Sequence, residues 1–488
     1  MKIPTLIFAS IFRPERCCAL VAALLLAAMP AFAARGPVPE QRIALEPLGY
    51  QPPSSNVRLA ADSMMSLHYV DESHLLFTYN ARGLMKRLPD SRPEDEDRTI
   101  AAVLLELPSG KVVARTAWRI HDSEPFLWDL GVGRFLLRSR DTLTTFSPLA
   151  AGGREAFAQR PFATSDTPIR HVIVSQDKGV VILETMTPPP EASHMSTVAA
   201  DEAPVSINFL RLSPPGVPVA GWVAGGVRAK NLVDFSPLAS TGFIQSTNEA
   251  PNRWLFDYKG YTGKMAQLAG FETSCDPLPM WVSGSEFVTF GCRGSQERAD
   301  LAGFNMKGEE MWQMNFGERQ GFPEIVAAPA AGRFAVSRAL TFSIAGAVIW
   351  SQVTVQEVRV IQSYNGKQLL RVECSPVGHM GQNFSLSPDG MALALLHDGI
   401  EIYRLPTLVA EDRKAVADAR AHDPELSPDV QIDLRVHPPA QEQAAPVVPP
   451  AGPPTPAGKT PVPDVPTPQP DMPRKSPTLY DSSGSPQP

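Results

Sequence analysis

The stretch Val358-Arg359-Val360-Ile361-Gln362-Ser363-Tyr364-Asn365-Gly366-Lys367-Gln368-Leu369-Leu370-Arg371-Val372 holds the reading on which the fold turns. Two apolar runs flank Asn365-Gly366-Lys367, and Asn-Gly suits a tight hairpin because glycine takes positive φ without steric cost. The segment predicts antiparallel strands at 358–363 and 368–372. The same device recurs upstream: strands at 103–107 and 112–118 around Ser109-Gly110-Lys111, at 207–212 and 217–223 around Pro214-Pro215-Gly216, and at 304–306 and 310–314 around Lys307-Gly308.

A second kind of hairpin precedes these. Short apolar runs pair 65–70 with 74–79, 126–130 with 134–138, 169–174 with 180–185, 232–235 with 243–245, 280–282 with 287–290, 324–327 with 333–336, and 383–386 with 391–396. Their turns fall near Ser73, Gly133, Gly179, Gly242, Gly284, Gly332 and Gly390, spaced 60, 46, 63, 42, 48 and 58 residues. Two hairpins per unit make a four-stranded antiparallel sheet, and repeated units of this length are the blades of a β-propeller. The expected fold class is all-β: a seven-bladed β-propeller of four-stranded antiparallel blades over residues 34–408. Closing the ring takes one more strand, and 42–45 is available beside 401–405. Two separate β-sandwiches use similar strands and are the rival architecture.

With these repeats in place, the chain resembles bacterial exported seven-bladed propeller proteins with WD40-like, TolB-like or quinoprotein-like repeats. Ser387-Pro388-Asp389-Gly390 resembles the first turn of a TolB-type repeat. Asn305-Met306-Lys307-Gly308-Glu309-Glu310-Met311-Trp312 is similar to the Gly-x-x-x-Trp outer hairpin of quinoprotein-type repeats. The resemblance spans residues 41–408 and implies a fold without implying an activity. The Trp-Asp and Gly-His signatures of WD40 repeats are absent from the sequence.

Composition agrees with one or two large cores. The 488 residues are 43% hydrophobic, with 50 Pro, 34 Gly and only 5 Cys, which excludes a collagen repeat and a disulfide-dense mini-domain. A net charge of −7 and the lack of any basic stripe argue against nucleic-acid binding, which depends on clustered Lys and Arg.

Both ends read differently from the middle. Lys2, Arg13 and Arg16 precede an apolar run at 17–28, and Ala31-Phe32-Ala33 supplies a small-residue cleavage pattern, so residues 1–33 read as an export signal. The run is too short to span a bilayer, and no integral membrane span is expected after cleavage; an uncleaved anchor is the rival reading. At the other end, residues 409–437 form a charged linker with room for one short helix at 411–421. Residues 438–488 hold seventeen prolines and almost no large apolar side chains, the composition of a disordered, extended spacer, so that nothing beyond Leu408 is expected to be needed for folding.

The sequence has no His-Glu-x-x-His, no Cys-x-x-Cys, no Gly-x-Ser-x-Gly and no phosphate-binding loop, and no cofactor or metal is expected. Gly131-Val132-Gly133 lies between two apolar strands and reads as a hairpin turn. His121-Asp122 and His397-Asp398 are neighbours that read as turn or surface pairs. His68 and His171 fall on first strands, nearest the channel of a propeller, and read as hydrogen-bonded strand histidines; Trp128 and Trp281 read as packing between blades. Cys275 and Cys292 bracket one hairpin and are expected to form a disulfide, with Cys374 left as the odd thiol.

Loop lengths point to a face. The turns from first to second and from third to fourth strand are short, so variation gathers on the opposite rim, where the second strand connects to the third. Three connections there are long: 81–98 with Asp95 and Glu96, 186–204 with three consecutive prolines, and 339–352 with Phe342, Ile344 and Trp350. Long loops without secondary structure are commonly functional. The expectation is a noncatalytic binding or scaffold propeller, exported to the periplasm or outside the cell, holding a protein or envelope component through that face. The alternative is a propeller enzyme, lactonase-like or quinoprotein-like, with its site at the central channel.

Overall fold

A computed structural model describes residues 36–50, 65–81, 98–121, 125–150, 155–186, 205–212, 238–239, 241–260, 265–294, 300–317, 324–341, 353–374 and 382–423. The expected leader, the proline-rich tail and residues 424–437 of the charged linker lie outside them.

Strand β1 (Gln41–Ala44) begins the ordered succession of strands. The first blade follows as β2 (Ser66–Asp71), β3 (His74–Asn80), β4 (Arg98–Glu106) and β5 (Lys111–Ile120), and the second as β6 (Leu127–Asp129), β7 (Phe135–Ser139), β8 (Thr142–Phe146) and β9 (Arg160–Thr164). The third holds β10 (Ile169–Val174), β11 (Val180–Met186) and β12 (Val205–Arg211). The fourth holds β13 (Leu238–Ala239), β14 (Gly242–Ala250), β15 (Arg253–Gly260) and β16 (Met265–Glu272). The fifth comprises β17 (Leu278–Trp281), β18 (Glu286–Gly291), β19 (Asp300–Asn305) and β20 (Glu310–Asn315). The sixth comprises β21 (Ile325–Ala328), β22 (Arg333–Thr341), β23 (Val353–Gln362) and β24 (Gln368–Cys374). The seventh is β25 (Phe384–Leu386), β26 (Ala392–Leu396) and β27 (Gly399–Arg404), completed by β1.

All pairings are antiparallel and, apart from β1 with β27, join consecutive strands, giving six four-stranded sheets and one three-stranded sheet among the described residues. The three-stranded sheet is the third blade, whose expected outer strand at 217–223 lies outside them. In the fourth blade the apolar run 232–235, expected as the inner strand, also lies outside the described residues. Leu238 and Ala239 pair with Phe243 and Gly242.

The inner strands have little polar alternation because a blade is buried on both faces. In β3, Leu75, Phe77 and Tyr79 enter the core shared with the seventh blade, while Leu76 enters the core shared with the second. Strand β5, on the outside, alternates exposed and half-buried positions instead. Six apolar clusters are described, and each joins two consecutive blades: seventh with first, first with second, second with third, fourth with fifth, fifth with sixth, and sixth with seventh. The protein is therefore a ring of sheets packed face to face, as the repeat pattern predicts. Ring closure follows the expected route, with Arg42 opposite Glu401 and Ile43 opposite Ile400.

The outer hairpins add local staples. Gly366 has φ +68, and a Cβ there would lie 2.7 Å from the Trp312 ring, so glycine is needed for both turn and contact. The Trp312 indole N–H donates to the Ser363 carbonyl at 2.5 Å, fastening the fifth blade to the sixth. Cys275 and Cys292 are joined by a disulfide with Cα atoms 5.5 Å apart, across the β17–β18 hairpin.

After the ring closes, helix α1 (Ala410–Arg420) turns back on it. It buries no side chain fully, yet Gly332 has room only because it lacks a Cβ, which would stand 2.8 Å from Val416. The Tyr364 hydroxyl bonds Asp412 at 3.2 Å. No helix among the described residues is long and apolar enough to cross a membrane.

Candidate functional site

The turns between first and second strands converge on the ring axis. Val132 of the second blade, Lys178 of the third, Gly284 of the fifth, Ala330 of the sixth and Pro388 of the seventh line one cavity of ≈ 480 Å³, together with Val416, Ala419, Arg420 and Asp423 from α1 and the turn after it. One rim of the propeller is thereby defined, and α1 lies over its mouth.

Polar residues at this mouth serve the turns that carry them. Asp129 accepts the Gly131 N–H at 2.7 Å, and Asp71 accepts the Ser73 N–H at 2.7 Å. In Ser175-Gln176-Asp177 the serine hydroxyl bonds Asp177 at 2.6 Å and accepts the Gly179 and Val180 N–H groups. Ser387-Pro388-Asp389 does the same at 2.5 Å, toward Met391 and Ala392. This Ser-x-Asp turn is a repeat that the sequence reading saw once and overlooked at Ser175. The spacing to glycine differs there by one residue. Lys178 reaches Asp129 of the neighbouring blade at 3.4 Å.

The opposite rim is where second strands end and third strands begin. Asn80 and Arg98, Met186 and Val205, and Thr341 and Val353 bracket the three long connections, and all six lie at that end of their sheets. Strand β22 continues to Thr341 and β23 starts at Val353, so the third connection is shorter than the expected 339–352. Asp95, Glu96, Phe342, Ile344 and Trp350 themselves lie outside the described residues.

Two buried carboxylates organise charge on the sixth and seventh blades. Glu357 is fully buried and receives Arg338 Nη2 at 3.1 Å, Arg359 Nε at 2.6 Å and Arg371 Nη2 at 2.6 Å. Burial alone would raise its pKa; the hydrogen bond from Arg338 and the charge of Arg359 outweigh that and hold it below the usual carboxylate range. Arg338 also donates to the Phe316 carbonyl at 2.7 Å, and the Arg359 guanidinium lies 4.5 Å from the Phe316 ring centroid. Glu401 accepts Arg42 Nε at 2.9 Å and the Tyr403 hydroxyl at 2.5 Å, and His397 Nε2 lies 3.1 Å away. Against the burial cost, the hydrogen bonds from Tyr403 and His397 hold the Glu401 pKa down.

Of the two histidines read as hydrogen-bonded strand residues, His68 departs from that reading and His171 bears it out. His68 is buried with both ring nitrogens lacking a hydrogen-bond partner, packed edge-on against Phe135 at 5.7 Å between the first two blades. Burial lowers its pKa to about 4, so the ring is neutral at neutral pH. His171 does find a partner, Glu184 directly opposite on β11 at 2.9 Å. His397 is more than a surface pair with Asp398, since it is nearly buried and reaches Glu401 four residues on. His121 meets Arg140 at 3.3 Å. Trp281 is fully buried between the fourth and fifth blades, whereas half-buried Trp128 lines the axial cavity. Cys374 is a free, buried thiol whose pKa burial pushes up to about 12.

No family model matches this chain, and no curated protein does. Similar solved structures do exist. A chain of the mitotic checkpoint complex aligns at 9% identity with a TM-score of 0.38, covering 83% of this chain and 99% of that one. The C-terminal WD40 domain of Sif2 aligns at 9% identity and TM-score 0.37, over 76% of this chain and 99% of that one. An acylaminoacyl peptidase of Pyrococcus horikoshii aligns at 9% identity and TM-score 0.43, over 72% of this chain but only 52% of its own. Likenesses this distant leave the fold to rest on the sheets and their closure, and say nothing of activity.

Proposed function

We propose that this protein is a noncatalytic binding or scaffold propeller of the cell envelope or exterior, holding a protein or envelope component on the rim where second strands meet third strands. One observation carries the reading: α1 covers the other rim, while the strand ends that bracket the three longest of the second-to-third-strand connections all open on this one. A rigid ring that fixes several long loops on one face is a common way to build a binding surface. The export leader read at residues 1–33 supports the location.

The test replaces 82–97, 187–204 and 342–352, one at a time, with a four-residue turn in the full chain. Folding is checked by circular dichroism, and recovery of co-purifying partners is measured from the producing cell. Loss of the same partner in one or more folded variants supports the reading. Unchanged recovery in all three overturns it.

A further inference from the structure

The segment after α1 places a carboxylate where it has little room to ionise. A Cβ on Gly284 would lie 2.9 Å from the Asp423 carboxyl atoms, so Asp423 is pressed against the β17–β18 turn. Two residues along that turn stands Glu286, buried, whose Oε2 accepts the Ser363 hydroxyl at 2.8 Å. Asp177 approaches from the third blade, and all three side chains line the axial cavity. Opposing charges are fewer: Arg420 belongs to α1 itself, and Lys178 is held 3.4 Å from Asp129. At the far end of the helix, Asp412 is bonded to Tyr364 and takes no part in this cluster.

We infer that α1 is a proton-sensitive cap on the axial cavity, held down when Asp423 and Glu286 are protonated and loosened when both ionise. The burial pattern agrees. Desolvation raises the pKa of Asp423, outweighing the Ser285 hydroxyl and Arg420 that favour its charge, and Asp177 adds repulsion; desolvation likewise raises that of Glu286 against the hydroxyls of Ser363 and Ser283, with a smaller push from Asp423. A carboxyl whose pKa is higher in the docked state binds its proton more tightly there. Docking is then fully favoured below the pKa of the undocked group and weakens as pH rises through the docked value. The helix carries no fully buried side chain, so little apolar packing opposes release. The inference concerns the covered rim and stands apart from what the opposite rim binds.

Hydrogen exchange on the full chain tests it, reading the amides of 410–420 and, as an internal control for global unfolding, those of β18 and β19. Between about pH 5 and about pH 8, exchange of the helix, corrected for intrinsic rate, is expected to quicken several-fold. The control strands should not follow. Asp423→Asn is expected to abolish the change and leave the helix as protected at the higher pH as at the lower. Glu286→Gln should reduce the change, and if that buried variant fails to fold, Asp423→Asn decides alone, since it lies outside the sheets, in the segment after α1. A helix whose protection is the same at both pH values in the wild-type chain overturns the inference. So does an Asp423→Asn variant that keeps the wild-type pH dependence.

Discussion

Arg42 of β1 and Glu401 of β27 face one another across the seventh blade, with Arg42 Nε 2.9 Å from the Glu401 carboxylate although 359 residues separate them in sequence. The pair fastens the start of the propeller to its end. Backbone pairing does the same from Gln41 to Ala44, and Ile43 adds apolar contact to the core shared by the seventh and first blades. Because Glu401 is nearly buried, removing its charge strands the Tyr403 and His397 contacts as well. Glu401→Gln should destabilise the ring by about 2–3 kcal/mol, read from denaturant unfolding, and Arg42→Ala, at a more exposed position, by less. A Glu401→Gln chain as stable as wild type contradicts this account of closure.

Arg333 is the fully buried cation of the sixth blade, and its partners are mostly carbonyls. It donates to Gly390 and Pro406 at 2.7 Å each and to the Gln362 side chain at 3.1 Å. These bonds tie the sixth blade to the seventh and to the chain leading into α1. Arg333→Met preserves much of the bulk but leaves two carbonyls without partners, at an expected cost of about 3 kcal/mol. Calorimetry checks the loss, and helix exchange should quicken in the same variant because Pro406 is no longer held.

The Cys275–Cys292 bridge closes a loop with a sequence separation of 17. Chain-entropy reasoning gives about 3 kcal/mol for a loop of this size. Mass spectrometry of unreduced protein should find these two residues linked and Cys374 alkylated only after unfolding, since its thiol is buried with a pKa pushed up to about 12. Rapid alkylation of Cys374 in the folded chain would contradict its placement between the sixth and seventh blades.

Acid should act first through Glu357 and Glu401. Both have pKa values held below the ordinary range in the folded state, so their contribution is present above the unfolded-state pKa and is lost as pH falls through the folded one. Stability measured by urea unfolding should fall as pH drops below about 4. Glu357→Gln is expected to be less stable at neutral pH and to lose less than wild type over that same acid interval. Parallel curves for the two proteins would remove Glu357 from the explanation.

What was legible in the sequence was local. Asn365-Gly366 and Lys307-Gly308 announce their hairpins because positive φ is required at the glycine, with φ +68 and +83 in the structure. The apolar density of β3 and β26 announces strands buried on both faces. The fourth blade shows the limit, since its inner strand, as far as the described residues go, is Leu238 and Ala239 and is recognised by its pairing with Phe243 and Gly242. The charged clusters were illegible for a related reason. Nothing in the sequence around Glu357 shows that Arg338, on another strand, shares its face, or that Phe316 offers both a carbonyl and a ring from the preceding blade. The docked α1 was foreseen as a segment that can turn helical, but its seat on the cavity depends on Gly332 and Gly284, which read only as turn residues.

Position-resolved photo-cross-linking tests the central claim most directly. A photoreactive residue is placed in the full chain at Glu96, Phe342 or Trp350 on the proposed binding rim, and at Val132 or Lys178 on the rim that α1 covers. After irradiation in the cells that make the protein, the first three positions should give an adduct with a common partner and the last two should not. Adducts formed only from Val132 or Lys178, or equally from every position, would contradict a binding face on the rim where second strands meet third strands.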